Sequence, residues 1–133
     1  MAAGTQDIVL RPTGVALATG LAEATYGARL SRKAAAVQVR TALGSSQAPH
    51  TLLCDGLGNG PRLDRAEAEA WQDWIGRRLS VKALLGEGFT VSSGWQVALA
   101  CECLARGESE TAVVSAVGNI AQVWGMTLER VAP

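Results

Sequence analysis

Short apolar runs that end in glycine-rich loops alternate along this chain with stretches that carry helix-capping residues. That alternation limits the fold more than any other feature of the sequence. Residues 8–10 (IVL) and 14–19 (GVALAT) read as a strand pair, or as one strand interrupted at Pro12, because proline donates nothing to a strand ladder. Ser31 can cap a helix through Leu43 that Gly44 ends, while residues 20–30 are ambiguous. His50–Cys54 is an apolar run leading into glycines, as a buried parallel strand is. Asp64 and Glu67 form a D-x-x-E capping box, opening a helix that ends at Arg77 and Arg78. Ala68, Trp71, Trp74 and Ile75 share one face of it. Leu79–Leu85 (LSVKALL) reads as a strand. Ser93 and Gln96 form a second capping pair, and the helix they open, to about Arg106, has almost no polar face and must lie between layers. Residues 111–117 and 122–131 read as antiparallel strands around Gly118-Asn119. The expected fold class is therefore α/β, one domain over 1–133. Its mostly parallel sheet has an antiparallel closing strand pair and a buried central helix.

Composition excludes several classes. The 133 residues suit one domain and can bury roughly 70% of the unfolded surface. Hydrophobic residues are 48% and charged residues 18%, with mean hydropathy +0.15, which excludes wholesale disorder. Twelve basic and twelve acidic residues give no net field to recruit nucleic acid or an acidic membrane surface. No apolar run approaches the ~20 residues of a membrane span. The N-terminus meets Asp7 before any long apolar core and lacks a basic start, so a secretory signal is not expected and a cytoplasmic location is. Cys54, Cys101 and Cys103 are odd in number and offer only one C-x-C, so they read as reduced thiols with no metal or cofactor.

The stretch Cys54–Glu67, CDGLGNGPRLDRAE, resembles a strand-end loop of the C-terminal half of β-ketoacyl synthases, in the thiolase-like superfamily. That loop normally begins His-Gly-Thr and continues through an Asp and a Glu into a helix. Lys82-Ala-Leu-Leu-Gly86-Glu87 is similar to the family's Lys-x-x-x-Gly-His, Gly94–Ala105 to the buried helix after it, and Val117–Leu128 to the closing strand pair with its active-site loop. The resemblance implies a single thiolase-like half-domain with degenerate motifs. Asp55 and Glu87 stand where the family has histidines that donate hydrogen bonds during decarboxylation. Ionised carboxylates only accept, and they place negative charge beside a developing enolate. The family's nucleophilic cysteine belongs to the other half, and in the related nucleophile-elbow register Val91 stands in its place.

The resemblance therefore implies a non-catalytic, chain-length-factor-like accessory subunit in fatty-acid or polyketide-type biosynthesis, completing or shaping an acyl site with a partner. The alternatives are one half of a split synthase, whose partner supplies the cysteine, and a structural or ligand-binding homodimer without acyl chemistry. The expected partners are a second copy or a ketosynthase-like chain, and an acyl carrier protein. No residue is assigned as catalytic. Asp55, Lys82 and Glu87 read either as a carboxylate–lysine–carboxylate network joining two loops or as a remnant acyl or phosphopantetheine pocket, and the network is favoured because ion pairs often mimic sites. Cys54 and Asn119 complete the ligand-binding candidates. His50 stands about 13 Å along a strand from Cys54, too far to activate it. Trp95 and Trp124 are candidate interface anchors, tryptophan being enriched at interfaces.

Overall fold

The computed structural model describes residues 8–19, 32–44, 50–58, 60–86, 88, 90–118 and 122–131. The readings at Ser31, 20–30, Glu87 and Asn119 lie outside these residues. Five strands form one sheet: β1 (Val9–Thr19), β2 (Thr51–Asp55), β3 (Arg78–Ser80), β4 (Thr111–Val117) and β5 (Gln122–Val131). Their spatial order is β1-β5-β4-β2-β3. The β2–β3 and β2–β4 pairs are parallel, whereas β4–β5 and β1–β5 are antiparallel. The sheet is thus mixed rather than mostly parallel. The reason is β1, which bypasses its sequence neighbours and takes the edge beside β5, from Val9 opposite Val131 to Thr19 opposite Gln122. Pro12 does not split β1; the register shifts between Pro12 and Gly14, a bulge that an edge strand tolerates.

Helix α1 (Arg32–Leu43) forms where alanines crowd and ends at Gly44, whose φ of 59° suits a left-handed C-terminal residue. It presses so closely on the sheet that a side chain at Gly125 would meet Leu43 Cδ1 at 2.7 Å and Val39 Cγ1 at 2.9 Å. Helix α2 (Pro61–Ala70) corrects the capping-box reading, since Gly60 is the N-cap and proline opens the first turn. Asp64 still serves the helix start, accepting the Gly58 amide at 3.1 Å and the Gly60 amide at 3.2 Å, but Glu67 turns inward. The helix stops at Ala70, so Ile75 is 83% exposed instead of packed, and Arg78 belongs to β3.

LSVKALL is not one strand. Ser80 Oγ donates to Asp55 Oδ1 at 2.7 Å, and beyond it the chain coils into α3 (Val81–Leu85), ended at Gly86. Helix α4 (Thr90–Ala105) begins before the expected Ser93 cap and lies on one face of the sheet. There Ala100, Cys103 and Leu104 pack on Leu52, Cys54, Ala112, Val114 and Leu128. On the opposite face α1 and α2 bury Ala35, Ala36, Val39, Ala70 and Trp71 against Leu53, Val113, Val117 and Val123.

Candidate functional site

Strands β2 and β4 run side by side and end at the same edge of the sheet, the end where open α/β sheets hold ligands. Asp55 closes β2 with no exposed surface. Its Oδ1 accepts the Leu57 amide at 3.0 Å and the Ser80 hydroxyl at 2.7 Å, while Oδ2 accepts the Arg78 Nε–H. Glu67 reaches the same place from α2 and is 1% exposed; its Oε1 accepts the Gly56 amide at 2.9 Å. Ser115 on β4 links the two layers. Its hydroxyl accepts Trp71 Nε1–H at 3.0 Å and hydrogen-bonds Glu67. From the other face, Gln96 on α4 donates Nε2–H to the Ser115 carbonyl at 2.7 Å and to the Cys54 carbonyl at 3.4 Å. Its Oε1 has no hydrogen-bond partner among the described residues. Lys82 is buried on α3, its Cβ 2.9 Å from where a side chain at Gly58 would sit.

Burial pushes the Glu67 carboxyl up to about 7, with Asp55 adding to it and the Gly56 and Ser115 donors and the Lys82 cation opposing. Burial likewise pushes the Cys54 thiol up to about 12, with Cys103 and Asp55 acting in the same direction. A thiol held protonated inside the core is not a nucleophile at neutral pH.

Asp55 and Lys82 are therefore brought to one site, as expected, but the partner of Asp55 is Arg78, and the second buried carboxylate is Glu67. Glu87 and Asn119 lie outside the described residues. Trp95 covers Gly88, where a Cβ would meet its ring at 2.6 Å, and Trp124 sits half-buried on β5 opposite Leu17. Glu67 and Gln96, both read from the sequence as capping residues, are the buried polar groups that hold this end of the sheet. Among the described residues no cluster of His, Cys, Asp and Glu could hold a metal ion, and no helix is long and apolar enough to cross a membrane. The arrangement accepts and donates hydrogen bonds and can hold one proton near neutrality.

A second feature lies on the α4 side. Val91 (55% exposed), Gly94, Ala98 and Glu102 form the outward face of α4, and a side chain at Gly94 would meet nothing within 4 Å. Leu84 and Leu85 on α3 are also exposed. On the same side, beyond the cover of α4, β1 leaves Val15 and Leu17 67% and 70% exposed opposite Met126 and Trp124.

No protein-family model and no curated protein matches this chain. Among solved structures, it is similar to a chain in the structure of a type II PKS acyl-carrier protein in complex with its ketosynthase bound to the hexaketide. The TM-score is 0.67 at 12% identity over 90% of this chain and 33% of that one. This chain thus spans about a third of the length of the chain it matches. That finding corrects the functional expectation. The structure concerned is that of a carrier protein with its ketosynthase, and likeness at 12% identity carries the fold alone, so it supplies no ketosynthase-like accessory role. Asp55 and Lys82 are both buried, and Asp55 is bonded to Arg78, Ser80 and a backbone amide. What stands is a mixed α/β fold of a kind found in a polyketide-synthase complex.

Proposed function

We propose that this chain is a protein-binding module of polyketide- or fatty-acid-type assembly. In this reading it is a thiolase-like half-domain that docks its open apolar face on a ketosynthase as a heterodimer. The observation that carries this is the outward face of α4 together with its surroundings. Helix positions 91, 94, 98 and 102 point away from the sheet, and only Glu102 among them is charged. A solvent-facing helix normally carries polar residues there. Leu84 and Leu85 extend the apolar surface at one end, and Val15 and Leu17 extend it on the sheet. Patches of this kind mark interaction sites. Covering these side chains contributes on the order of 1 kcal/mol each. The small residues Gly94 and Ala98 let a partner's backbone approach α4 closely. The ketosynthase named in the similar structure supports the class of partner, and the buried Cys54 supports a role in binding rather than catalysis.

Sedimentation equilibrium of the chain alone, and mixed with a type II ketosynthase, tests the reading. A mixed complex is expected, weakened by Ala98→Glu and by Leu17→Asp without loss of the folded circular-dichroism spectrum. A stable dimer of this chain alone, or a mixed complex indifferent to both substitutions, overturns it.

A further inference from the structure

The strand-end loop after β2 begins on a buried carboxyl, and its later amides rest on Asp55 and Asp64. Glu67 is 1% exposed and takes the amide of Gly56, the first residue of that loop, on Oε1 at 2.9 Å. Its other oxygen lies 3.0 Å from where a Gly56 side chain would begin, so the loop backbone is laid directly on the carboxyl group. The groups that face it come from every neighbouring element. Asp55 lies on β2, Arg78 bonds Asp55 from β3, Lys82 comes from α3, and Asp64 lies one turn away on α2 itself. Strand β4 adds the uncharged Ser115 and α4 the uncharged Gln96.

We infer that Glu67 is a proton-controlled latch for the loop that begins at Gly56, closed while the carboxyl holds its proton and loosened when the proton leaves. The neutral acid suits the buried site, where one oxygen accepts the Gly56 amide and Ser115 lies within hydrogen-bonding reach. Loss of the proton leaves a buried anion beside Asp55 that the Gly56 and Ser115 donors stabilise only in part. Lys82 offsets part of that charge, and admitting water by lifting the loop offsets the rest. Glycine at 56 and at 58, where φ is 121°, lets the loop move without dragging side chains through the core. The transition falls in the physiological range because burial holds the carboxyl at about 7. The latch belongs to this chain alone and does not depend on a ketosynthase docking.

Amide hydrogen exchange followed by NMR across pH 5.5–8.5, corrected for the intrinsic rate, reads it directly. Protection of the Gly56 amide is expected to fall about tenfold per pH unit from the acid end up to about 7, one proton being lost per opening, and to level off above. In Glu67→Gln, which keeps an acceptor for Gly56 but cannot ionise, that dependence disappears. The carboxyl carbon-13 shift of Glu67 in the unaltered protein supplies a second reading that needs no variant. A midpoint near 7 is expected, and a midpoint in the ordinary glutamate range, about 4.3, overturns the latch. So does a Gly56 amide whose protection is flat across the range.

Discussion

On one face of the sheet α1 and α2 seal Leu53, Val113, Val117 and Val123 beneath alanines and the fully buried Trp71. On the other face α4 covers the β2–β4 end but stops short of the β1 edge, where Val15 and Leu17 remain about two-thirds exposed. Both faces are apolar, so hydrophobicity alone does not distinguish them. The difference is in what locks them. The closed face carries specific polar and ring contacts. Trp71 donates to Ser115, meets Trp74 edge-on at 5.6 Å and lies 4.8 Å beneath the Arg40 guanidinium, which itself reaches the Ala70 carbonyl. Among the described residues the open face has no such fixtures around Val15 and Leu17, and so it is available surface rather than core.

The largest effect that would break this distinction is expected at Trp71. Trp71→Ala should cost about 3–5 kcal/mol in urea unfolding, through lost burial and the orphaned Ser115 and Arg40 contacts. A loss below 1 kcal/mol would mean the closed face is not the structural one.

Acidity gives the next largest effect. The folded Glu67 carboxyl binds its proton more tightly than the unfolded one, about 7 against 4.5, so the folded state holds more protons between those values. Stability should therefore fall as pH rises from about 4.5 to 7, by on the order of 3 kcal/mol, and level off above. That is the reverse of an ion-paired carboxylate. Chemical unfolding of the protein and of Glu67→Gln at several pH values checks it, since the variant should lose the slope contributed by this group.

Gln96→Ala should cost about 1–2 kcal/mol, because it strands the Ser115 and Cys54 carbonyls that the amide now satisfies. Thermal unfolding read by circular dichroism measures it. The smallest effect sharpens the comparison most. Leu17→Ala should change stability by under about 0.5 kcal/mol, as a surface substitution does, while weakening association measured by sedimentation.

The alternation of apolar runs and capping residues located β2, α1 and the β4–β5 pair, because each is specified by residues close together in sequence. The errors have local causes as well. A seven-residue apolar run such as Leu79–Leu85 carries no period that separates strand from helix, and the deciding contact, Ser80 to Asp55, spans 25 residues. Asp64 and Glu67 matched a capping box, but Gly60-Pro61 was the better signal of a helix start, with proline in its favoured first turn. Reading that signal moves the N-cap from Asp64 back to Gly60 and turns Glu67 from a cap into a buried group. Asp55 and Lys82 could be placed together only through a resemblance, and Gln96 entered the site through a tertiary contact that leaves no sequence pattern.

The pairing of β1 with β5 has a consequence for how the protein is made. Among the described strands β1 bonds only to β5, Val9 lying opposite Val131. During translation β1 therefore leaves the ribosome well before β5, and its apolar side chains wait in solution until that strand has followed. Contacts so distant in sequence also make closure of the sheet edge a late and slow step, so the interval between the emergence of Val15 and that of its partner strand is when a nascent chain most needs shielding.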